Sequence, residues 1–258
     1  ESLSDIVHWS NSEVGLFPLA SELHDILKRN SKSEQQYKQY AGSLKNSILT
    51  AFFTPPEIAQ VLAETLNQNQ ISPKSFLDPS AGLGAFISSF KNQNEGLSVT
   101  GFEKDLLTGK ILSKLYPDDK IRTTGFEEVE SRFNNHFDLV SSNIPFGDVA
   151  AFDISFLKSK DKVKRQAAQS IHNYFFLKGM ETIREGGVLA FITSQGVMNS
   201  PKNEPIRQWL MDNSRLVSSV RLPNNLFSEY AGTEVGSDLI VLQKDSGKNQ
   251  LTQKEKDF

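Results

Sequence analysis

Asn143-Ile144-Pro145-Phe146 sets a primary amide, a backbone carbonyl and an aromatic ring close together in the chain. The amide oxygen of Asn143 and the carbonyl of Ile144 can both accept hydrogen bonds from one planar amino group, while the Phe146 ring stacks on the heterocycle that carries it. That is a receptor for an amino-purine, although the same letters also describe a turn whose phenylalanine is core. A second group, Asp78-Pro79-Ser80-Ala81-Gly82-Leu83-Gly84-Ala85-Phe86, places two glycines where backbone could approach a ligand before a helix begins. An ordinary glycine-bearing strand-to-helix turn reads the same way. Glu103 follows the glycines by about 20 residues, the spacing at which a carboxylate can accept both hydroxyls of a ribose.

These groups need elements to hold them. Short β-rich runs alternate with helical stretches from residue 75 onward: 75–77, 98–102, 120–123, 137–142, 187–192, 216–220 and 238–242. Seven strands with helices between the early ones indicate an α/β, doubly wound sheet covered on both faces, whose ligands sit at the carboxyl ends of strands. Asp78, Glu103 and Asn143 each end or follow such a run. Ahead of the sheet, Thr54-Pro55-Pro56 opens an amphipathic helix with Ile58, Val61, Leu62 and Leu66. Residues 1–49 read as an N-terminal helical segment of two or three helices, 50–245 as the catalytic domain, and 246–258 as a polar tail or linker.

Composition narrows the chemistry. The 258 residues have a formal net charge of -3, so contact with a polyanion would require a local basic patch. Cysteine is absent, which excludes disulfides, thiolate metal sites and any cysteine nucleophile, and with it methylation at the cytosine ring carbon. The four histidines, at 8, 24, 136 and 172, lack metal-ligand spacing, so no metal is expected. No long apolar run and no signal peptide is visible, which leads us to expect a protein of the cytoplasm with no membrane association. The densest basic run supplies Lys158, Lys160, Lys162, Lys164 and Arg165, read either as a DNA contact or as a solvated loop.

Taken together, the motifs resemble those of the amino-methylating DNA methyltransferases, specifically N6-adenine enzymes. Residues 78–86 look like their cofactor loop D-P-A-C-G-S-G-x-F, Phe53-Thr54-Pro55 resembles the F-x-T-P element, and Asn143-Ile144-Pro145-Phe146 resembles the target motif N-P-P-[YF] with Ile in place of the first Pro. The likeness continues through Ser170-Ile171-His172-Asn173-Tyr174-Phe175-Phe176, Ile192-Thr193-Ser194 and Arg221-Leu222-Pro223, covering roughly residues 50 to 245. It is strongest toward methylase domains of methylase-helicase proteins on phages, plasmids and conjugative elements, and toward modification subunits of type I restriction systems.

The resemblance implies a Rossmann-like methyltransferase fold with a seven-stranded, mostly parallel sheet, S-adenosyl-L-methionine as cofactor and double-stranded DNA as substrate. It implies a bacterial or mobile-element setting, with a separate specificity subunit or a helicase region on a longer chain as partner. By motif position, Asn143, Ile144, Pro145 and Phe146 would be catalytic. The cofactor would be held by Phe53, Thr54, Pro55, Asp78, Pro79, Ser80, Ala81, Gly82, Gly84, Phe86, Glu103, Lys104, Phe126 and Asn143. After the third strand the family often carries an acidic residue near the cofactor adenine; here Thr124-Gly125-Phe126-Glu127-Glu128 leaves its replacement open. Methylation of RNA or of a protein glutamine, and a degenerate binding module without activity, are the alternative readings.

Overall fold

Neighbouring residues of the central strands go to opposite sides of one sheet, and this alternation builds two cores. Phe76, Leu139, Val188, Ala190 and Ile192 join one buried cluster; Leu77, Val140, Leu189 and Phe191 join the other. Water touches neither face, which is why these strands read as near-continuous apolar runs. The computed structural model describes residues 17–50, 54–146, 149–226 and 236–258. The chain divides into two compact units, Glu1–Leu49 and Thr50–Phe258.

In the first unit, α1 (Phe17–Asn30) and α2 (Glu34–Thr50) are the described helices. His24 Nδ1 lies 3.3 Å from the Tyr37 hydroxyl, linking the two.

The second unit begins with α3 (Pro56–Gln68), which buries Ala59, Leu62, Ala63 and Leu66 and leaves Val61 exposed. Then follow β1 (Ser75–Asp78), α4 (Ala85–Gln93), β2 (Ser98–Phe102), α5 (Leu106–Leu115), β3 (Lys120–Arg122) and β4 (Phe137–Asn143). Short helices α6 (Ile154–Leu157) and α7 (Lys162–Ala167) lead into α8 (Ile171–Thr182) and β5 (Ile183–Ser194). After α9 (Gly196–Asn199) and α10 (Glu204–Asn213), β6 (Ser214–Arg221) and β7 (Ser237–Lys244) close the sheet. Its order is β3-β2-β1-β4-β5-β7-β6. Among the described strands, β7 runs antiparallel to the other six.

The expected seven-stranded, mostly parallel α/β sheet is therefore present. The chain steps outward from β1 to β3 and then returns to lay β4 on the other side of β1, so the ends of β1 and β4 flank the switch in strand order where such sheets take ligands. No helix among the described residues is long and apolar enough to cross a membrane.

Residues 246–258, expected as a polar tail or linker, are instead docked. Thr252 and Glu255 form a reciprocal capping box that opens a helical turn, Gln253–Asp257. Glu255 is 5% exposed and accepts from Lys248 Nζ at 2.9 Å and from Leu216 N of β6 at 3.1 Å, while Leu251 and Phe258 pack on the core. Much of the ordering rests on a buried polar network, which an apolar-periodicity reading does not register.

Candidate active site

The glycine loop is built by the end of β1 and pinned to the end of β2. Ala81 N donates to Phe102 O at 2.8 Å and Gly82 N to Glu103 Oε2 at 2.8 Å. Gly82 (φ +53°) and Gly84 (φ +88°) sit in the left-handed region that favours glycine. At Gly84 a Cβ would also come within 2.5 Å of the Tyr116 ring, whereas at Gly82 it would meet open space. The loop is thus closed toward α5 and open at Gly82.

Asp78, the last residue of β1, is 0% exposed. Its Oδ1 accepts from the Ser142 hydroxyl at 2.7 Å and from Ser80 N at 3.2 Å, while its Oδ2 is buried without a hydrogen-bond partner. Burial pushes this carboxyl up to about 7; the Ser142 and Ser80 donors work against the rise and the neighbouring Glu103 charge adds to it. A buried acceptor left unmade is costly, and it is the kind of atom a cationic or N–H donor of a ligand satisfies.

Glu103 follows β2 and is half-buried. Its two oxygens accept from Gly82 N and Asp105 N, both at 2.8 Å. Burial again raises its pKa against these donors. Each oxygen keeps a further lone pair for a hydroxyl. Beside it, Lys104 Nζ reaches Glu127 Oε1 at 2.6 Å. The sequence alone leaves the acidic group after β3 open within residues 124–128; the structure pairs Glu127 with Lys104, next to Glu103, and leaves Glu128 exposed.

Asn143 is the last residue of β4 and is half-buried. Ile144 N donates to Ile192 O at 3.0 Å and its side chain is 1% exposed in the core, so only its backbone is left to serve a ligand. Pro145 is exposed, and Phe146 is half-buried against the cluster that also holds Leu226.

Asp78, Pro79, Ser80, Ala81, Gly82, Glu103, Lys104 and Asn143 thus lie at or just after the carboxyl ends of the neighbouring strands β1, β2 and β4. Phe86 and Phe126, expected to touch a cofactor, are buried at 3% and 1% exposure. Phe126 packs edge-on against Phe102 at 5.9 Å and tilted against Phe175 at 5.2 Å, so its ring is part of the core. Thr54 is half-buried and Pro55 buried at the start of α3; Phe53 lies outside the described residues.

The basic run is split by the fold. Lys158, Lys160 and Lys162 are exposed. Lys164 pairs with Glu181 at 2.6 Å and Arg165 donates to the Ser159 carbonyl, so these two are engaged internally rather than free for DNA. Nearby, Asp153 accepts from Tyr174 OH at 2.8 Å and Lys178 Nζ at 3.1 Å, a buried cluster the sequence does not disclose. It lines a cleft of about 560 Å³ with Glu127, Phe152 and Glu181. His172 is 6% exposed beside the Ser170 hydroxyl, in keeping with packing.

Residues 34–256 match the model of the N-6 DNA Methylase family. The chain belongs to that family. Among its relatives, it is 25% identical over 207 residues to the "Defense against restriction protein B" of Escherichia phage P1, covering 79% of this chain and 9% of that protein. It is 23% identical to the type I restriction enzyme MpnII methylase subunit of Mycoplasma pneumoniae, covering 82% of this chain and 42% of the relative. This N-6 DNA methylase family member therefore spans less than half the length of both. The crystal structure of the type I restriction enzyme EcoKI M protein superposes with a TM-score of 0.63 at 20% identity, over 84% of this chain and 49% of that one, which shows the shared fold.

Proposed function

We propose that this chain transfers a methyl group from S-adenosyl-L-methionine to the exocyclic N6 amino group of adenine in DNA. The observation that carries the reading is the placement of the Asn143–Phe146 motif at the carboxyl end of β4, directly across the strand-order switch from the glycine loop after β1. The buried, unpartnered Asp78 Oδ2 and the open space at Gly82 fit the cofactor's polar methionine end, and Glu103 fits its ribose. Bound there, the cofactor supplies an electrophilic sulfonium methyl.

The protein's own work is positioning. Asn143 Oδ1 and the Ile144 carbonyl accept the two amino hydrogens of a flipped adenine, directing the nitrogen lone pair at the methyl group, and Phe146 stacks on the base. The nitrogen gains the methyl and loses a proton to solvent, with no covalent enzyme intermediate. Glu127 is the acidic group set to meet the cofactor adenine, in the place the sequence alone leaves open. Lys158, Lys160 and Lys162 meet phosphates on the duplex. Choice of DNA sequence comes from a partner specificity subunit or from another region of a longer chain, such as a helicase, in the cytoplasm of a bacterial host.

The test is incubation with methyl-labelled S-adenosylmethionine and duplex DNA lacking adenine methylation, followed by nucleoside analysis. Label in N6-methyldeoxyadenosine, absent with Asn143→Ala, is the expected result. Label confined to RNA or to protein would overturn it.

A further inference from the structure

The Ser142 hydroxyl is fully buried one residue before Asn143, and its partner lies 64 positions away in the chain: it donates to Asp78 Oδ1 at 2.7 Å, with Ser80 O at 3.2 Å. The ladder between β1 and β4 registers lower down, at Phe76–Leu139 and Leu77–Val140. Past that register the last residue of β1 and the penultimate residue of β4 are joined by a side-chain hydrogen bond.

We propose that Ser142 is a positioning residue that ties the target-base motif to the cofactor loop, holding Asp78 by Oδ1 so that Oδ2 is the oxygen left for the cofactor. The inference rests on the function proposed above. A carboxylate with one oxygen gripped by two donors, Ser142 Oγ and Ser80 N, cannot turn about its last torsion without breaking both bonds. The oxygen that remains is buried and unpartnered, a state tolerated where a ligand donor completes it. Because Asn143 is the next residue in the chain, the same bond sets the distance between the amino-group acceptor and the cofactor loop. An alanine at 142 would leave the strand and its packing in place while removing both effects. The titratable groups facing Asp78 are Glu103 from the end of β2 and Tyr116 from the end of α5; both keep their places in such a variant.

Two measurements on the parental chain, Ser142→Ala and Ser142→Thr decide it. In the cofactor-free protein, carboxyl-labelled aspartate followed by NMR should show Asp78 titrating at clearly higher pH in Ser142→Ala than in the parent, with Ser142→Thr close to the parent. Calorimetric titration with S-adenosylmethionine from pH 6 to 9 should show Ser142→Ala binding about tenfold more weakly at pH 7, with the gap closing toward pH 9. At saturating cofactor, its kcat for DNA should also fall. An unmoved Asp78 titration overturns the proposal, as does a moved titration with superimposable binding profiles. If the parental chain binds no S-adenosylmethionine at any pH, it is the methyltransferase reading that fails, while the cofactor-free titration still judges the hydroxyl's hold on Asp78.

Discussion

Asp78 and Glu255 are both buried carboxylates, and their surroundings push them in opposite directions. Asp78, at the end of β1, has one oxygen bonded and one left bare, and burial drives its pKa up to about 7. Glu255, in the docked C-terminal turn, would also be raised by burial, but the Thr252 and Leu216 N–H groups and the Lys248 ammonium hold it down to about 2. Depth and satisfaction both differ: Asp78 is 0% exposed, deep in the fold, with one oxygen bare, whereas Glu255, 5% exposed, lies nearer the surface with both oxygens bonded. A fully partnered buried charge holds structure together, whereas an incompletely partnered one stores an unfavourable interaction that a ligand can relieve. The first region should therefore carry chemistry at the expense of stability, and the second should carry stability without chemistry.

The sharpest separation is expected from Asn143→Ala, which lies in the first region. Methyl transfer should fall by roughly 10²–10³-fold, as when one preorganised acceptor or donor is removed, while S-adenosylmethionine affinity and thermal unfolding stay near parental values. Loss of cofactor affinity in parallel would mean that base and cofactor binding cannot be separated.

Asp78→Asn should make the cofactor-free chain more stable. A carboxyl whose folded pKa is raised destabilises the fold only where it is ionised in the unfolded chain, so the penalty is absent below about pH 4, grows from there, and is complete above about pH 7. Chemical unfolding at pH 8 should show a gain of roughly 2–4 kcal/mol over the parent, shrinking to little at pH 4. An equal effect at both pH values would remove the titration argument.

Glu255→Ala should act with the opposite sign. It should cost about 1–3 kcal/mol at pH 7, because Lys248 and the Leu216 N–H lose a buried acceptor, and leave methyl transfer unchanged at temperatures where the protein is folded. A depressed carboxylate contributes stability that is present above its unfolded pKa of about 4.5 and is lost as pH falls toward about 2. The gap between parent and variant should therefore close below about pH 4.

The smallest effects are expected on the basic run. Alanine at Lys158, Lys160 and Lys162 together should weaken DNA binding and flatten its log–log salt dependence by up to about 0.9 for each phosphate no longer neutralised. Lys164→Ala should leave that slope alone and cost about 0.5–1 kcal/mol of stability through Glu181. Filter binding across a salt series distinguishes the two.

What is legible in the sequence, and what is not, divides along the same line. The strands are legible because burial on both faces makes them apolar, and the loop and target motifs because their chemistry demands particular residue types. The first residues of β5 are not, since Arg184-Glu185-Gly186 is exposed and polar and reads as a turn. The docked C-terminus escapes an apolar-pattern reading because its anchor is a buried carboxylate, although Thr252 and Glu255 spell a capping box. Motif position marks Phe126 for the cofactor but carries no information on its packing against Phe102 and Phe175. Lys164 and Arg165 look as free as their neighbours because their partners, Glu181 and the Ser159 carbonyl, are chosen by the fold. Ser142 is an ordinary strand serine until β1 is laid beside it.

The most direct measurement is a calorimetric titration of the parental chain and Asp78→Asn with S-adenosylmethionine at pH 8. Saturable binding of one cofactor per parental chain, abolished in a variant that unfolds at higher denaturant, is the predicted result. Equal affinity in the two proteins would contradict the account, because the bare oxygen of Asp78 would then serve no ligand.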